Sequence, residues 1–231
     1  MPRPAATAWI TANRLRRKLV RRRRPFDRED LVRRYAPVGS FADVGCMYGA
    51  NGRIAFVAEE SGASAVTAFD AMEETPEYLA EHERRGSSVR FLRGDIHEPG
   101  AIGQHDVVWC AGVVYHSPYP LLTLERLAAA AREVLIVGSH TIPEVPGLDQ
   151  ACVFYPRLDE AGRGIYRPVW PCNSVGIATP YDERPEMAYA NYWWGITPSA
   201  LRAMVEVQPG FRVVEEAGEP FLTYVVARRE P

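Results

Sequence analysis

Two carboxylates, a glycine-spaced loop and a tyrosine-histidine pair stand at the ends of successive apolar runs in this 231-residue chain. The loop is Asp43-Val44-Gly45-Cys46-Met47-Tyr48-Gly49-Ala50-Asn51-Gly52, entered from Phe41 and Ala42 and left into a helix-like pattern. Asp70 closes a second run, Asp95 a third, and a fourth ends in Gly112-Val113-Val114-Tyr115-His116. Glycines let a backbone turn tightly and approach a ligand, carboxylates accept hydrogen bonds from hydroxyl and amino groups, and histidine takes up a proton near neutral pH. Repeated at strand ends, such groups describe a crevice for an adenosine-type ligand.

Alternating strands and helices are needed to place them. Strands are expected at 41–44, 65–69, 89–92, 105–111 and 134–137, followed by two late ones at 211–214 and 221–226. Helices are expected from an Asp27 cap to Tyr35, over 54–58 with a stop at Gly62, from a Thr75 cap through Pro76 to Arg85, over 121–131, and from Thr197-Pro198 onward. This order reads as an α/β chain with a Rossmann-like, doubly wound, seven-stranded and mostly parallel sheet. After the fifth strand the rhythm breaks into an insertion rich in proline, glycine and aromatics: Phe154, Tyr155, Tyr166, Trp170, Tyr181, Tyr189 and Tyr192. A stretch this long without periodicity reads as a functional lid. The expected division is a basic helical arm at 1–36, a cofactor-binding core at 37–142, a substrate-facing insertion or lid at 143–194, and the remainder of the core at 195–231.

Net charge is only -2, but Arg3, Arg14, Arg16, Arg17, Lys18 and Arg21 to Arg24 crowd the first 24 residues without an acid among them. Trp9, Ile10, Leu15, Leu19 and Val20 give this arm the spacing of an amphipathic helix, able to touch RNA, anionic lipid or the protein's own acidic body. No apolar run approaches the ~20 residues that span a bilayer. Cys46, Cys110, Cys152 and Cys172 show neither C-x-x-C pairing nor metal-ligand spacing, and the N-terminus lacks the apolar region of a signal peptide. The expectation is a soluble cytoplasmic protein in a reducing compartment, without a structural metal, and the sequence leaves a homodimer open.

Two adenosine chemistries use such a crevice: hydride transfer by a dinucleotide, as in an NAD-dependent oxidoreductase, and methyl transfer from S-adenosylmethionine. Asp70 lies 21 residues beyond Gly49, where a carboxylate accepts from ribose hydroxyls in either case. Met47 stands where a dinucleotide loop needs glycine beside the pyrophosphate, so its thioether argues against that ligand. Asp95 can accept from an adenine amino group while the N–H of Ile96 donates to the ring.

On these residues the chain resembles the class I S-adenosylmethionine-dependent methyltransferases, over about residues 40 to 138 and more weakly 195 to 228. The family's first motif, D/E-x-G-x-G-x-G, stands here as Asp43-Val44-Gly45-Cys46-Met47-Tyr48-Gly49, with Met47 in place of the middle glycine. The resemblance implies S-adenosyl-L-methionine as cofactor. Gly45, Cys46 and Gly49 would border its methionine moiety, Asp43 would support the amino end, Asp70 would bind the ribose, Asp95 and Ile96 would clamp adenine, and Ala111 would close the cofactor set. The segment from Ala111 to His116 is similar to the family motif facing the sulfonium and the acceptor, which places Tyr115 and His116 nearest the reaction, His116 as a candidate base. His140, Tyr192, Trp193 and Trp194 are the further residues expected against a substrate. The long aromatic insertion points, within that family, to methylation of a small organic acceptor at oxygen, on a sugar, phenol or polar natural product. The wording Gly112-Val113-Val114-Tyr115-His116-Ser117-Pro118 is also similar to the tRNA wobble-uridine enzymes that transfer a carboxymethyl group. Against nucleic acid, the body is acidic and Lys18 is the chain's only lysine.

Overall fold

Strands buried on both faces carry apolar residues without alternation, and the central strands of this chain do so. The computed structural model describes residues 3–23, 25–166, 181–184 and 190–230; Arg24, Trp170, Cys172 and Tyr189 lie outside the described residues. Within them β1 (Ser40–Val44), β2 (Ala65–Asp70), β3 (Arg90–Arg93), β4 (His105–Ala111) and β5 (Ala131–His140) are mutually parallel, and β8 (Phe211–Glu219) and β9 (Leu222–Arg229) complete a seven-stranded sheet. Its order is β3-β2-β1-β4-β5-β9-β8, with β9 antiparallel to both neighbours. Strand order reverses between β1 and β4, which leaves a crevice beyond their C-terminal ends.

Helices α2 (Arg28–Tyr35), α3 (Arg53–Glu60) and α4 (Pro76–Arg85) cover one face, burying Leu31, Val32, Ile54, Phe56 and Tyr78 against Phe41 and Trp109. Helices α5 (Pro120–Ala130) and α7 (Pro198–Glu206) cover the other with Leu124, Leu127, Leu201 and Val205. The expected caps form: Asp27 accepts from Glu29 N at 2.9 Å, Thr75 Oγ1 from Tyr78 N at 3.1 Å and Thr197 Oγ1 from Ala200 N at 3.3 Å.

Several elements differ from the sequence expectation. β5 runs three residues longer at each end than 134–137, because β4 pairs with its start at His105↔Ala131 and β9 with its end through His140↔Leu222. β8 extends past Val214 through Glu215 and Glu216; as an edge strand it alternates buried and wet positions, so acids fit its outer face. The stretch read as irregular contains β6 (Cys152–Phe154) and α6 (Glu160–Tyr166), and β6 pairs antiparallel with β7 (Trp194–Ile196).

The N-terminal helix α1 (Arg3–Arg23) lies on the body. Ile10 joins Tyr115, Ile142, Tyr155, Tyr192 and Phe221 in a third apolar cluster. Arg17 and Arg21 grip Glu219 at 2.9 and 2.8 Å, the Glu219 side chain being only 1% exposed. Arg3 pairs with Asp159, and the Trp9 indole N–H donates to the carbonyl of Glu144 at 2.9 Å.

Candidate active site

The loop after β1 turns at Gly45, where φ is +80° and a Cβ would strike the Val113 side chain at 2.3 Å. That conformation and that contact both require glycine. Gly49 (φ +64°) has nothing within 4 Å of a built Cβ, so there the left-handed backbone alone, and no contact, calls for glycine. Met47 corrects the sequence reading. Met47 is fully buried in the α2–α4 core, so its thioether obstructs nothing in the crevice, and what it offers is its N–H, given to Asp70 at 2.8 Å. Cys46 is 1% exposed, its thiol pushed up by burial and directed to the carbonyl of Phe69, which leaves only main-chain atoms for a ligand.

Asp43 is buried at the base of the loop and accepts from Ala55 N at 3.1 Å, capping α3. Burial pushes its carboxyl up to about 7, with the Ala55 N–H and the nearby Arg28 charge pulling the other way. Asp70 ends β2 and takes two main-chain donors, Met47 N at 2.8 Å and Met72 N at 2.9 Å, so it locks the loop to the turn after β2. Each oxygen keeps a further lone pair.

On the adenine side, Asp95 leaves its side chain 61% exposed; one oxygen accepts from His97 N at 2.9 Å, and the other has no partner among the described residues. Ile96 packs partly buried against the α5–α7 core. His97 reaches back through Nε2 to Ser117 Oγ at 3.2 Å and Thr123 Oγ1 at 3.1 Å, tying this loop to the segment after β4. That tie escaped the sequence reading.

Ala111 ends β4 and is half-buried, and beyond it a single 3-10 turn, Val114–His116, brings Tyr115 and His116 together. Their rings lie 4.4 Å apart, Tyr115 stacks on Tyr192 at 4.7 Å and meets His140 edge-on at 5.2 Å, and His116 meets Tyr192 at 4.6 Å. A Cβ on Gly112 would lie 3.7 Å from the Tyr115 hydroxyl, so that hydroxyl lies close to the end of β4. Burial raises the Tyr115 phenol, against a hydrogen bond from Tyr192. His116 is driven down to about 4 and His140 to about 3, both by burial, although the carbonyls of Asn191 and Phe221 hold their Nδ1 atoms.

Trp193 and Trp194 do not join this cluster by their rings. Trp193 lies edge-on to Tyr181 at 5.2 Å and Trp194 lies 5.1 Å from Phe154, while the main-chain N–H of Trp193 donates to Tyr115 O at 2.9 Å. Their part is to carry the segment that positions Tyr115. Asn191 adds to this: its side chain exchanges hydrogen bonds of 2.9 and 2.8 Å with the main chain of Asp182, and its carbonyl holds His116.

Arg28 is the other residue that the sequence reading missed. It opens α2, stands close to the Tyr224 hydroxyl and exerts its charge on Asp43, with no carboxylate within ion-pairing distance among the described residues. Tyr224 pairs with Gly138, and Gly138 with Ala111, so Arg28 stands at the C-terminal rim of the sheet.

Residues 42–141 match the family described as a methyltransferase domain. No curated protein matches the chain significantly in sequence. Among solved structures, the chain is similar to the N-terminal domain of EvdMO1 with S-adenosylhomocysteine bound, at 16% identity and TM-score 0.56, over 88% of this chain and 81% of that one. It is similar to the 1,6-didemethyltoxoflavin-N1-methyltransferase of Burkholderia thailandensis at 18% identity and TM-score 0.55, over 83% and 71%. A third is the magnesium protoporphyrin IX methyltransferase of Synechocystis PCC 6803, at 16% identity and TM-score 0.53, over 99% and 82%. At such identities these likenesses show a shared fold. Residues 42–141 thus carry a methyltransferase domain, set in a fold shared with methyltransferases crystallised with S-adenosylhomocysteine.

Proposed function

We propose that this enzyme methylates a small organic acceptor at oxygen, on a sugar, phenol or polar natural product. The observation that carries the reading is the closed group of Tyr115, His116, His140 and Tyr192 at the end of β4, next to the glycine loop. Flat rings with a few polar tips suit a small ring-shaped or hydroxylated acceptor.

S-adenosyl-L-methionine bound in the crevice supplies a methyl group on a cationic sulfonium. The residues present suit it: a loop turned on left-handed glycines at Gly45 and Gly49, an exposed carboxylate at Asp95 and a carboxylate with spare lone pairs at Asp70. In this reading Asp70 accepts from the ribose, and Asp95 and the Ile96 N–H hold adenine. Arg28 binds the carboxylate of the methionine end while Asp43, through the loop it braces, supports the amino group. Methyl transfer is an in-line displacement, so alignment and exclusion of water do most of the work. Tyr115 and Tyr192 wall the acceptor side. His116 accepts the acceptor's hydroxyl proton at Nε2, because its Nδ1 proton is committed to Asn191. Tyr155 and Tyr192, described residues of the segment expected as the lid, support an acceptor-side role for it, since they share an apolar cluster with Tyr115 and with Ile10 of α1.

The test is a panel of phenols, sugars and hydroxylated natural products, assayed for methyl transfer by the intact chain and by His116→Ala. The expected result is turnover on at least one oxygen acceptor, with a loss of about 100-fold or more in the variant. Methylation confined to nitrogen acceptors, or an undiminished rate in the variant, contradicts the oxygen assignment or the role of His116 respectively.

A further inference from the structure

The two sides of α1 have different partners. Ala6, Ile10, Asn13, Arg17 and Val20, spaced three and four residues apart, are turned to the body and are buried or half-buried. The opposite side presents Ala5, Ala8, Ala12, Leu15 and Leu19, all exposed, with Leu15 58% and Leu19 60% exposed. On a helical projection this apolar stripe is continuous, and Arg14, Lys18 and Arg22 border it on one side while Arg16 borders it on the other. These four cations have no ion-pair partner among the described residues, whereas Arg3, Arg17 and Arg21 are paired to Asp159 and Glu219.

We propose that this outward face of α1 docks on an anionic lipid surface, with Leu15 and Leu19 set into the acyl boundary and Arg14, Arg16, Lys18 and Arg22 on lipid phosphates. A helix lying in the interface needs this pairing of an apolar stripe with flanking cations. Charge selects the partner. The first 24 residues hold nine of the chain's 27 basic residues and no acid, so the remainder sets 18 against 29 acids and is repelled by the same surface. The leucines select lipid over nucleic acid, because phosphate contacts need no apolar stripe and bases are held by stacking on aromatic rings. Trp9, the one aromatic residue on α1, has its indole N–H on the Glu144 carbonyl. Docking needs no rearrangement, since the inward face and its ion pairs stay as they are. None of this depends on the acceptor or the reaction.

The experiment is sedimentation of the full chain with vesicles of phosphatidylcholine alone, with vesicles containing phosphatidylglycerol, and a parallel binding titration with total tRNA, each at low and high salt. The expected result is binding to the phosphatidylglycerol vesicles that falls with salt and is absent on phosphatidylcholine. Leu15→Ser/Leu19→Ser should weaken it by about tenfold or more. Lys18→Gln/Arg22→Gln should weaken it by about fivefold per charge. Both variants should keep the parent's melting temperature, because the replaced side chains are exposed. Failure to bind anionic vesicles at low salt overturns the proposal. So does a leucine variant that binds them as well as the parent, or tRNA binding without vesicle binding.

Discussion

The imidazole of His116 donates its Nδ1 proton to the main-chain carbonyl of Asn191 at 2.9 Å. A carbonyl can only accept, so this contact fixes the tautomer and leaves the Nε2 lone pair as the available one. Burial holds the ring near pKa 4, well below its ordinary value near 6.5, so it is neutral at pH 7. The unfolded chain therefore binds a proton that the folded chain refuses between pH 6.5 and 4. The stability linked to this ring is fully present above about pH 6.5 and is lost as pH falls toward 4. His116→Gln should remove a slope of about 1.4 kcal/mol per pH unit within that window. Urea unfolding of parent and variant from pH 4.5 to 7 reads the difference, and parallel curves would show that the ring titrates normally.

Arg28 gives a test of cofactor orientation that needs no acceptor. S-adenosylhomocysteine carries the amino-acid end, and methylthioadenosine lacks it. Arg28→Ala should weaken the first by roughly 10- to 100-fold, the span of a lost charge-assisted hydrogen bond, and leave the second unchanged. Equal weakening of both ligands would place Arg28 in the fold rather than at the carboxylate.

Asp70 and Asp95 should separate by what else they hold. Asp95 bonds within its own loop and is exposed, so Asp95→Ala should cost about tenfold in S-adenosylhomocysteine affinity with the melting temperature unchanged. Asp70 bridges Met47 and Met72, so Asp70→Ala should lower affinity and melting temperature together. Calorimetry and thermal melting on the same samples distinguish the two patterns.

Glu219 is held by Arg17 and Arg21 with its side chain almost wholly buried. Removing both arginines strands that carboxylate, at a cost of about 3–5 kcal/mol if α1 stays docked. Undocking is the cheaper response. Arg17→Ala/Arg21→Ala should therefore lose hydrogen-exchange protection along α1 while the sheet keeps its protection; unchanged protection along α1 would mean that Ile10, the Arg3–Asp159 pair and the Trp9–Glu144 hydrogen bond suffice to hold the helix.

Much of the architecture was legible because local signals agreed with the final packing. Thr75-Pro76, Asp27 and Thr197-Pro198 open helices where their side chains can cap, and the apolar runs became the central strands. β5 is longer than its local pattern predicts because its ends are set by pairing with His105 of β4 and with Leu222 of β9, relations with no local signature. Met47 was noticed for the right position and the wrong reason: the loop turns its thioether into the core and presents its N–H instead. Tyr115 and His116 are neighbours in the chain, but His140 and Tyr192 reach them only through the strand ends and the β6–β7 pairing. Arg28 gave no sequence signal beyond following a helix cap, since its partners Tyr224 and Asp43 are distant in sequence.

Calorimetric titration of the intact chain with S-adenosylhomocysteine and, separately, with NAD tests the central claim most directly. The account predicts one-to-one binding of S-adenosylhomocysteine, with the parent stabilised on melting, and no measurable binding of NAD. Binding of NAD with none of S-adenosylhomocysteine would contradict it.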